Sequence, residues 1–257
     1  MYQKPIHSHN DYWRDIPVYT AISTGCVSIE SDVWLYNDTL YVGHEPSSLT
    51  PARTFQSLTI EPILYILNRQ NPASPFVTSK SKNGVFDSDS SQTLYLFVDV
   101  KTSGEATWPY VVQDLQPLRD AGYLTTYNGA GVTYGPVTVI GTGNTPLDEV
   151  QGKPVRDYFY DAPLALLGTT FSSVTSDVSP VASTDFAAAF GTITGTKFNS
   201  TQLATLRSQV ATAKSKGILA RFVLFSNRCK PCLLTWTKGI GTSQRGQLQQ
   251  ETPSGRH

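Results

Sequence analysis

Apolar residues recur along this chain with two alternating periods, one typical of strands and one typical of helices. Short apolar runs bounded by turn residues predict strands, and apolar residues at helical spacing between them predict helices. This alternation predicts parallel strand pairing and an α/β layer architecture. The predicted strands are 4–6, 27–35, 40–42, 94–101, 136–140, 158–161 and 218–225. The predicted helices are 17–24, 51–68, 108–120 and 201–216, and a polar loop is predicted at 72–92.

The regular pattern ends after Phe225. The remaining segment contains Cys, Pro, Thr, Gln and Gly in no clear period, whereas a barrel would require a further helix and strand there. With 257 residues, the chain has the length of a (β/α)8 TIM barrel, which is typically about 250 residues. We therefore expect one barrel domain over residues 1–225, incomplete at its C-terminal end. An atypical tail is expected over residues 226–257.

The charge balance argues against two classes of partner. The chain has 20 basic and 20 acidic residues and no net charge, so neither nucleic acid nor an anionic membrane surface is expected as a partner. No apolar run reaches the length of about 18 residues that a transmembrane helix requires, so no transmembrane segment is expected. We expect a monomer.

The location of the protein is left open by the sequence. Abundant Ser, Thr, Gly, Pro and Tyr, together with glycosylation sequons at Asn37 and Asn199, favour a secreted or lumenal protein. The few residues before the first histidine leave no room for a signal peptide. The alternatives are a cytosolic protein or a truncated start.

The stretch from Val27 to His44 carries the first candidate chemistry. Residues two apart on a strand share a face, so Glu30, Asp32 and Trp34 are expected to point the same way. A second predicted strand brings another acid, Asp99, near its carboxyl end. An isolated pair of acids on a strand is more often a solvated edge, but here histidines and a third acid accompany it.

The three acids form a candidate metal site. Glu30, Asp32 and Asp99 offer hard oxygen ligands with incomplete coordination, which suits Mg²⁺, with Ca²⁺ as the alternative, better than zinc. His9 and His44 would then serve in proton transfer, and Lys101 would place a positive charge near a bound anion. A divalent cation, two imidazoles and a lysine are the groups needed to split a phosphodiester.

Four short motifs, in this order, resemble those of the PLC-like phosphodiesterase superfamily. Within it the resemblance is greatest to the fungal family called altered inheritance of mitochondria protein 6. The superfamily also includes glycerophosphodiester phosphodiesterases and sphingomyelinase D enzymes. The resemblance extends over about residues 4–225. The motifs are His9-Asn10-Asp11-Tyr12, Ser28-Ile29-Glu30-Ser31-Asp32-Val33, Val42-Gly43-His44 and Phe97-Val98-Asp99-Val100-Lys101.

The resemblance implies a (β/α)8 barrel that hydrolyses a phosphoric diester, with a glycerophosphodiester or phospholipid-like molecule as substrate. It implies Mg²⁺ as cofactor, histidine acid–base catalysis and a lysine at the phosphate. The residues that match are Glu30, Asp32 and Asp99 for the metal and His9, His44 and Lys101 for catalysis. Two departures are the absent hydrophobic leader and the unusual ending after Phe225.

Three alternatives remain at this stage. His7 competes with His9, since the two would share a face of an extended chain. The chain could be a non-catalytic or misfolded, truncated member of the family. Glu30 and Asp32 could instead be a glycosidase pair, although side chains two apart on a strand are closer than the usual separation of about 5 Å or more.

Overall fold

The computed structural model describes residues 2–77, 81–191, 197–223 and 233–237. Eleven strands lie within these ranges. They are β1 (Lys4–Ser8), β2 (Cys26–Tyr36), β3 (Thr39–Val42), β4 (Leu94–Val100), β5 (Thr126–Tyr127), β6 (Val132–Thr133), β7 (Val137–Gly143), β8 (Tyr158–Pro163), β9 (Val181–Asp185), β10 (Leu219–Val223) and β11 (Leu233–Thr237).

Seven α-helices lie between the strands of the described ranges, together with short helical turns. The helices are α1 (Tyr19–Ser23), α2 (Glu61–Gln70), α3 (Gly104–Asp114), α4 (Gln116–Asp120), α5 (Leu147–Gln151), α6 (Phe186–Phe190) and α7 (Ser200–Ser215). A π-helical turn at Gln56–Ile60 precedes α2. The short turns are Asp11–Trp13, Pro46–Ser48 and Leu164–Leu166.

The strands form a curled, mostly parallel sheet. Parallel pairing runs in the order β1, β2, β4, β7, β8, β9 and β10, and β3 returns antiparallel along β2. The strand β11 pairs antiparallel with both β1 and β10. The expected α/β class is confirmed, and the curled sheet is compatible with an incomplete TIM-like barrel. Because β11 is antiparallel, the described strands do not repeat the (β/α)8 pattern throughout.

Most predicted elements are present with shifted ends. The predicted helix at 51–68 begins as a π-helical turn, and the one at 108–120 is divided into α3 and α4. The strand β9 was not predicted, because its sequence VASTD has only one bulky apolar residue. The predicted domain boundary at Phe225 lies outside the described residues, and β11 falls within the segment predicted to be an atypical tail.

Apolar side chains occupy both faces of the sheet. The larger cluster lies between the sheet and the helices and includes Leu96, Val98 and Trp108. A smaller cluster lies on the other face, where the sheet curls toward itself, and consists of Phe97, Ile140, Phe159 and Val181. The alternation of Leu96, Phe97 and Val98 between these clusters follows the two-residue period of a strand. Among the described residues, none of the helices combines the length and the apolar character needed to span a membrane.

Candidate active site

Three carboxylates meet where β2 and β4 run side by side. Asp32 and Asp99 are direct partners in the parallel register of these strands, and Glu30 lies two residues before Asp32 on the same face. One ligand oxygen from each of the three lies within 4.8 Å of the others. Glu30 and Asp32 are 3% and 1% exposed. The structure therefore brings together all three acids that the sequence nominated as metal ligands.

Lys101 connects two of these carboxylates. Its Nζ donates to Asp99 Oδ2 at 2.6 Å and lies 3.1 Å from Asp32 Oδ2. Burial raises the pKa of Asp32 to about 7, the charge of Glu30 adds to this, and Lys101 opposes it. Burial also raises the pKa of Asp99, again against the effect of Lys101. In the described part of the chain, two basic side chains face these three acids, Lys101 and Arg221, whose Nη2 lies 3.7 Å from Glu30 Oε1. One negative charge more than positive favours an additional cation.

His9 and the turn after β1 lie against Glu30. His9 Nδ1 is 2.7 Å from Glu30 Oε2, and the backbone N–H of Asn10 donates to the same oxygen at 3.0 Å. Asn10 adopts a left-handed conformation with a φ of 49°, which Asn tolerates better than most residues. Burial raises the pKa of Glu30, but the contact with His9 opposes it, and the net pKa is well below the ordinary value.

His44 reaches the same group of acids from the end of the β2–β3 hairpin. Its Nδ1 lies 3.5 Å from Asp32 Oδ2, and its side chain is 42% exposed. The exposed ring of Trp13 lies edge-on to the His44 ring, with centroids 5.1 Å apart. His9 thus contacts Glu30 and His44 contacts Asp32, so the two nominated histidines flank the carboxylates.

His7 has a different environment from His9. It is fully buried, and its Nδ1 and Nε2 lie 2.7 Å from Ser28 Oγ and 2.9 Å from Arg221 Nη2. Burial lowers the pKa of His7 to about 3, with a further contribution from the Arg221 charge. The ring is therefore neutral at physiological pH, which favours His9 over His7 as the acid–base group.

Two site residues, Tyr12 and Arg221, were not assigned a role from the sequence. The Tyr12 hydroxyl donates a hydrogen bond to Asp32 Oδ2 at 2.8 Å. Arg221 lies 3.7 Å from Glu30 Oε1 and 3.5 Å from Asp161 Oδ2. Tyr12 is the last residue of the His9-Asn10-Asp11-Tyr12 motif, and its place in that motif could have indicated a role in the site. The sequence offered less indication that Arg221 belongs to the site: it is a charged residue within an otherwise apolar predicted strand.

The donor atoms fit a hard divalent cation. Asp32 Oδ1 is buried and has no hydrogen-bond partner, which is costly for a carboxylate oxygen unless it has another ligand. Together with Glu30 and Asp99 it forms an all-oxygen group, the donor set that Mg²⁺ and Ca²⁺ prefer. A second group in the described part of the chain consists of His7, His9 and Glu30, but the His7 nitrogens already contact Ser28 and Arg221.

Comparison with known proteins identifies the family. A model of the AIM6-like phosphodiesterase domain matches residues 1–161. The chain is 54% identical over 228 residues to the altered inheritance of mitochondria protein 6 homolog of Arthroderma benhamiae, covering 85% of this chain and 71% of that protein. It is 38% identical over 191 residues to the Eremothecium gossypii protein of that name, covering 69% of this chain and 47% of that protein.

A third relative has similar coverage. The chain is 39% identical over 186 residues to altered inheritance of mitochondria protein 6 of Lachancea thermotolerans, covering 66% of this chain and 43% of that protein. The chain thus spans less than half the length of these last two relatives. No solved structure matches the chain. The resemblance drawn from the motifs is confirmed, and the chain belongs to the AIM6-like phosphodiesterase domain family.

Proposed function

We propose that this protein is a metal-dependent phosphoric diester hydrolase that acts on a glycerophosphodiester or a phospholipid-like substrate. The observation that carries the proposal is the convergence of Glu30, Asp32 and Asp99 within 4.8 Å, with His9 and His44 on either side at 2.7 Å and 3.5 Å from the carboxylates. The phosphodiesterase domain that matches residues 1–161 supports the reaction class.

The three carboxylates are proposed to hold Mg²⁺, with Ca²⁺ as the alternative. The unpartnered Asp32 Oδ1 and the raised pKa values of Asp32 and Asp99, caused first by burial, both favour a cation at this position. When bound, a divalent cation would supply positive charge to the non-bridging oxygens of the diester. Lys101 lies beside the same carboxylates and would add to that positive charge.

The histidines are proposed to move the protons. In His9 the nitrogen proposed to exchange a proton with the substrate is Nε2, because Nδ1 lies against Glu30 Oε2. Glu30 would orient the ring. His44 lies beside Asp32, and its 42% exposure is compatible with contact to a substrate. One imidazole would take the proton of the attacking hydroxyl and the other would protonate the leaving oxygen.

Assays with a generic diester test the proposal. The metal-stripped protein should hydrolyse bis(p-nitrophenyl) phosphate, glycerophosphocholine or lysophosphatidylcholine only after Mg²⁺ or Ca²⁺ is restored. His9→Ala and His44→Ala should each reduce kcat by about 100-fold or more. Asp32→Asn should abolish metal-dependent turnover, whereas Asp114→Asn, at a partly buried carboxyl next to Gln56, should not. Full turnover in either histidine variant would contradict the proposal.

A further inference from the structure

Arg221 is a buried cation on β10 whose contacts converge on His7 and Glu30. It is 2% exposed, and its Nη2 lies 2.9 Å from His7 Nε2 and 3.7 Å from Glu30 Oε1. Its Nη1 lies 3.5 Å from Asp161 Oδ2 and 3.2 Å from Ser183 Oγ. The guanidinium also lies over the Phe97 ring, 4.3 Å from the centroid. These contacts on several sides hold the guanidinium in one place.

The contact with Arg221 determines which nitrogen of His7 carries the proton. A guanidinium donates hydrogen bonds and accepts none, so His7 Nε2 is the acceptor of the 2.9 Å bond. The ring proton is therefore on Nδ1, which donates to Ser28 Oγ at 2.7 Å. The Nε2 lone pair, through which the imidazole would bind a metal ion, is directed to a positive charge instead.

This matters because two possible ligand groups share Glu30. His7, His9 and Glu30 place three ligand atoms within 4.8 Å of one another, and so do Glu30, Asp32 and Asp99. Imidazole-rich groups suit zinc, cobalt and nickel, whereas carboxylate groups suit magnesium and calcium. A cation bound at His7 Nε2 would displace the Arg221 bond and lie close to its charge, which Coulomb repulsion opposes.

We infer that Arg221 is a positioning residue that sets the metal preference of the site. It holds His7 as the Nδ1–H tautomer, keeps His7 out of the ligand set and leaves the all-oxygen group for a hard cation. Asp161 and Ser183 hold the guanidinium in place. The inference rests on the metal site of the proposed function but not on phosphodiester hydrolysis, so it has readouts that need no substrate.

The tautomer of His7 is the first test. In the metal-free, untagged chain labelled with ¹⁵N-histidine, His7 should show a protonated Nδ1 and an unprotonated Nε2, with the signals assigned by their loss in His7→Gln. An Nε2–H tautomer of His7 would overturn the inference whatever the activity. The expected tautomer in a protein that hydrolyses no diester would support the inference and count against the proposed function alone.

Metal binding to Arg221→Met is the second test. Without the guanidinium, Co²⁺ should bind about 10-fold to 100-fold more tightly than to the wild type, which is the range for a change next to a ligand. The gain should disappear in the double variant Arg221→Met, His7→Gln. Arg156→Met is the matched control, because Arg156 is also a buried arginine, 6% exposed, and lies over Phe159 rather than beside His7.

Three results of the metal-binding test would overturn the inference. A folded Arg221→Met variant that binds Co²⁺ no more tightly than the wild type would overturn the inference. So would a gain that survives the loss of His7, or an equal gain in Arg156→Met. If Arg221→Met does not melt cooperatively, the His7 tautomer of the wild type decides the question by itself.

Discussion

The hydroxyl of Tyr12 donates a hydrogen bond to Asp32 Oδ2 across 2.8 Å, and both side chains are almost completely buried. The same hydroxyl lies 2.9 Å from Asn10 Oδ1 and 3.5 Å from His44 Nδ1. Burial raises the pKa of Tyr12 far above its ordinary value, and the charge of Asp32 adds to this. The Tyr12 hydroxyl therefore keeps its proton, and Asp32 Oδ2 is the nearer of the two oxygens that can accept it.

Replacing Tyr12 by Phe removes this donor. The hydrogen bond lowers the pKa of Asp32 against the opposing effect of burial, so in Tyr12→Phe that pKa should rise. The acid limb of metal binding and of kcat should then shift to higher pH. Unfolding should become easier by about 2 kcal/mol, the value of a hydrogen bond to a charged group. Isothermal titration with Mg²⁺ at several pH values and chemical denaturation measure these effects.

Tyr123→Phe is the control for this change. Tyr123 is also 2% exposed, and its hydroxyl donates to Asn68 Oδ1 at 2.9 Å, away from the candidate site. Its loss should reduce the free energy of unfolding by about 1 kcal/mol and leave the pH profile unchanged. An unshifted pH profile in Tyr12→Phe would contradict the role assigned to this hydroxyl.

Gly143 limits the space available to Asp99. It has a φ of +63°, and a Cβ built on it would lie 2.1 Å from Asp99 Oδ1. Gly143→Ala should therefore displace this carboxylate and weaken Mg²⁺ binding by about 10-fold or more, in the range for changes beside a metal ligand. Titration calorimetry measures the affinity, and thermal melting measures the stability.

Gly122→Ala separates the steric effect from the backbone strain. Gly122 has a similar φ of +68°, but a Cβ there would meet nothing within 4 Å. Both variants should lose about 1 kcal/mol because an alanine is unfavourable in the left-handed region. Gly143→Ala should lose more, because its Cβ would also lie 2.7 Å from the backbone oxygen of Val100. Only Gly143→Ala should lose metal affinity. Equal affinities in the two variants would show that Asp99 is not a ligand.

Lys101 should affect the acids and the reaction in different ways. Its charge lowers the pKa values of Asp32 and Asp99, which burial raises. In Lys101→Met, Mg²⁺ binding should therefore require a higher pH. At a pH where metal binding is restored, kcat should still be about 100-fold lower, because a charge near the phosphate is lost. Lys153→Met, at a half-exposed lysine paired with Glu149, should change neither quantity.

Asp161 should make the fold less stable as the pH rises through the mildly acidic range. Burial raises its pKa to about 6 from 3.8, despite the opposing charge of Arg221. The folded state thus binds more protons than the unfolded state between these pH values, so its stability falls as the pH rises. A rise in pKa from 3.8 to about 6 corresponds to roughly 3 kcal/mol. The side chain is only 4% exposed, so solvent screening is small.

Asp161→Asn should remove this pH dependence. Denaturation at pH 4 and pH 7 should show a smaller loss of stability in the variant than in the wild type. Asp114→Asn serves as a comparison, since burial also raises the pKa of Asp114 but Arg221 is not its partner. The same pH dependence in Asp161→Asn and wild type would show that Asp161 does not titrate in this range.

The acids of the site could be predicted because they depend on local rules. Glu30 and Asp32 share a face through the two-residue period of a strand. Asp99 was expected beside them because polar residues at the carboxyl ends of neighbouring parallel strands meet at one edge of the sheet. In the structure Asp99 is the direct partner of Asp32. His44 follows from the short β2–β3 hairpin, whose length fixes where the chain returns.

The surroundings of these acids could not be predicted in the same way. The distinction between His7 and His9 depends on the 2.9 Å contact of His7 with Arg221, which no local pattern encodes. Asp161 was visible as an acid at the end of a strand, but its partner on β10 follows only from the curl of the whole sheet. The strand β9 was missed because its burial, rather than its composition, stabilises it.

The contact between His7 and Arg221 joins residues 214 positions apart, and this separation has a consequence for biosynthesis. A chain made from its N-terminus contains Glu30, Asp32 and Asp99 well before Arg221 is added. Closing so long a loop is entropically unfavourable, and contacts of such sequence separation slow folding. In the nascent chain His7 therefore lacks its arginine partner until synthesis has passed β10.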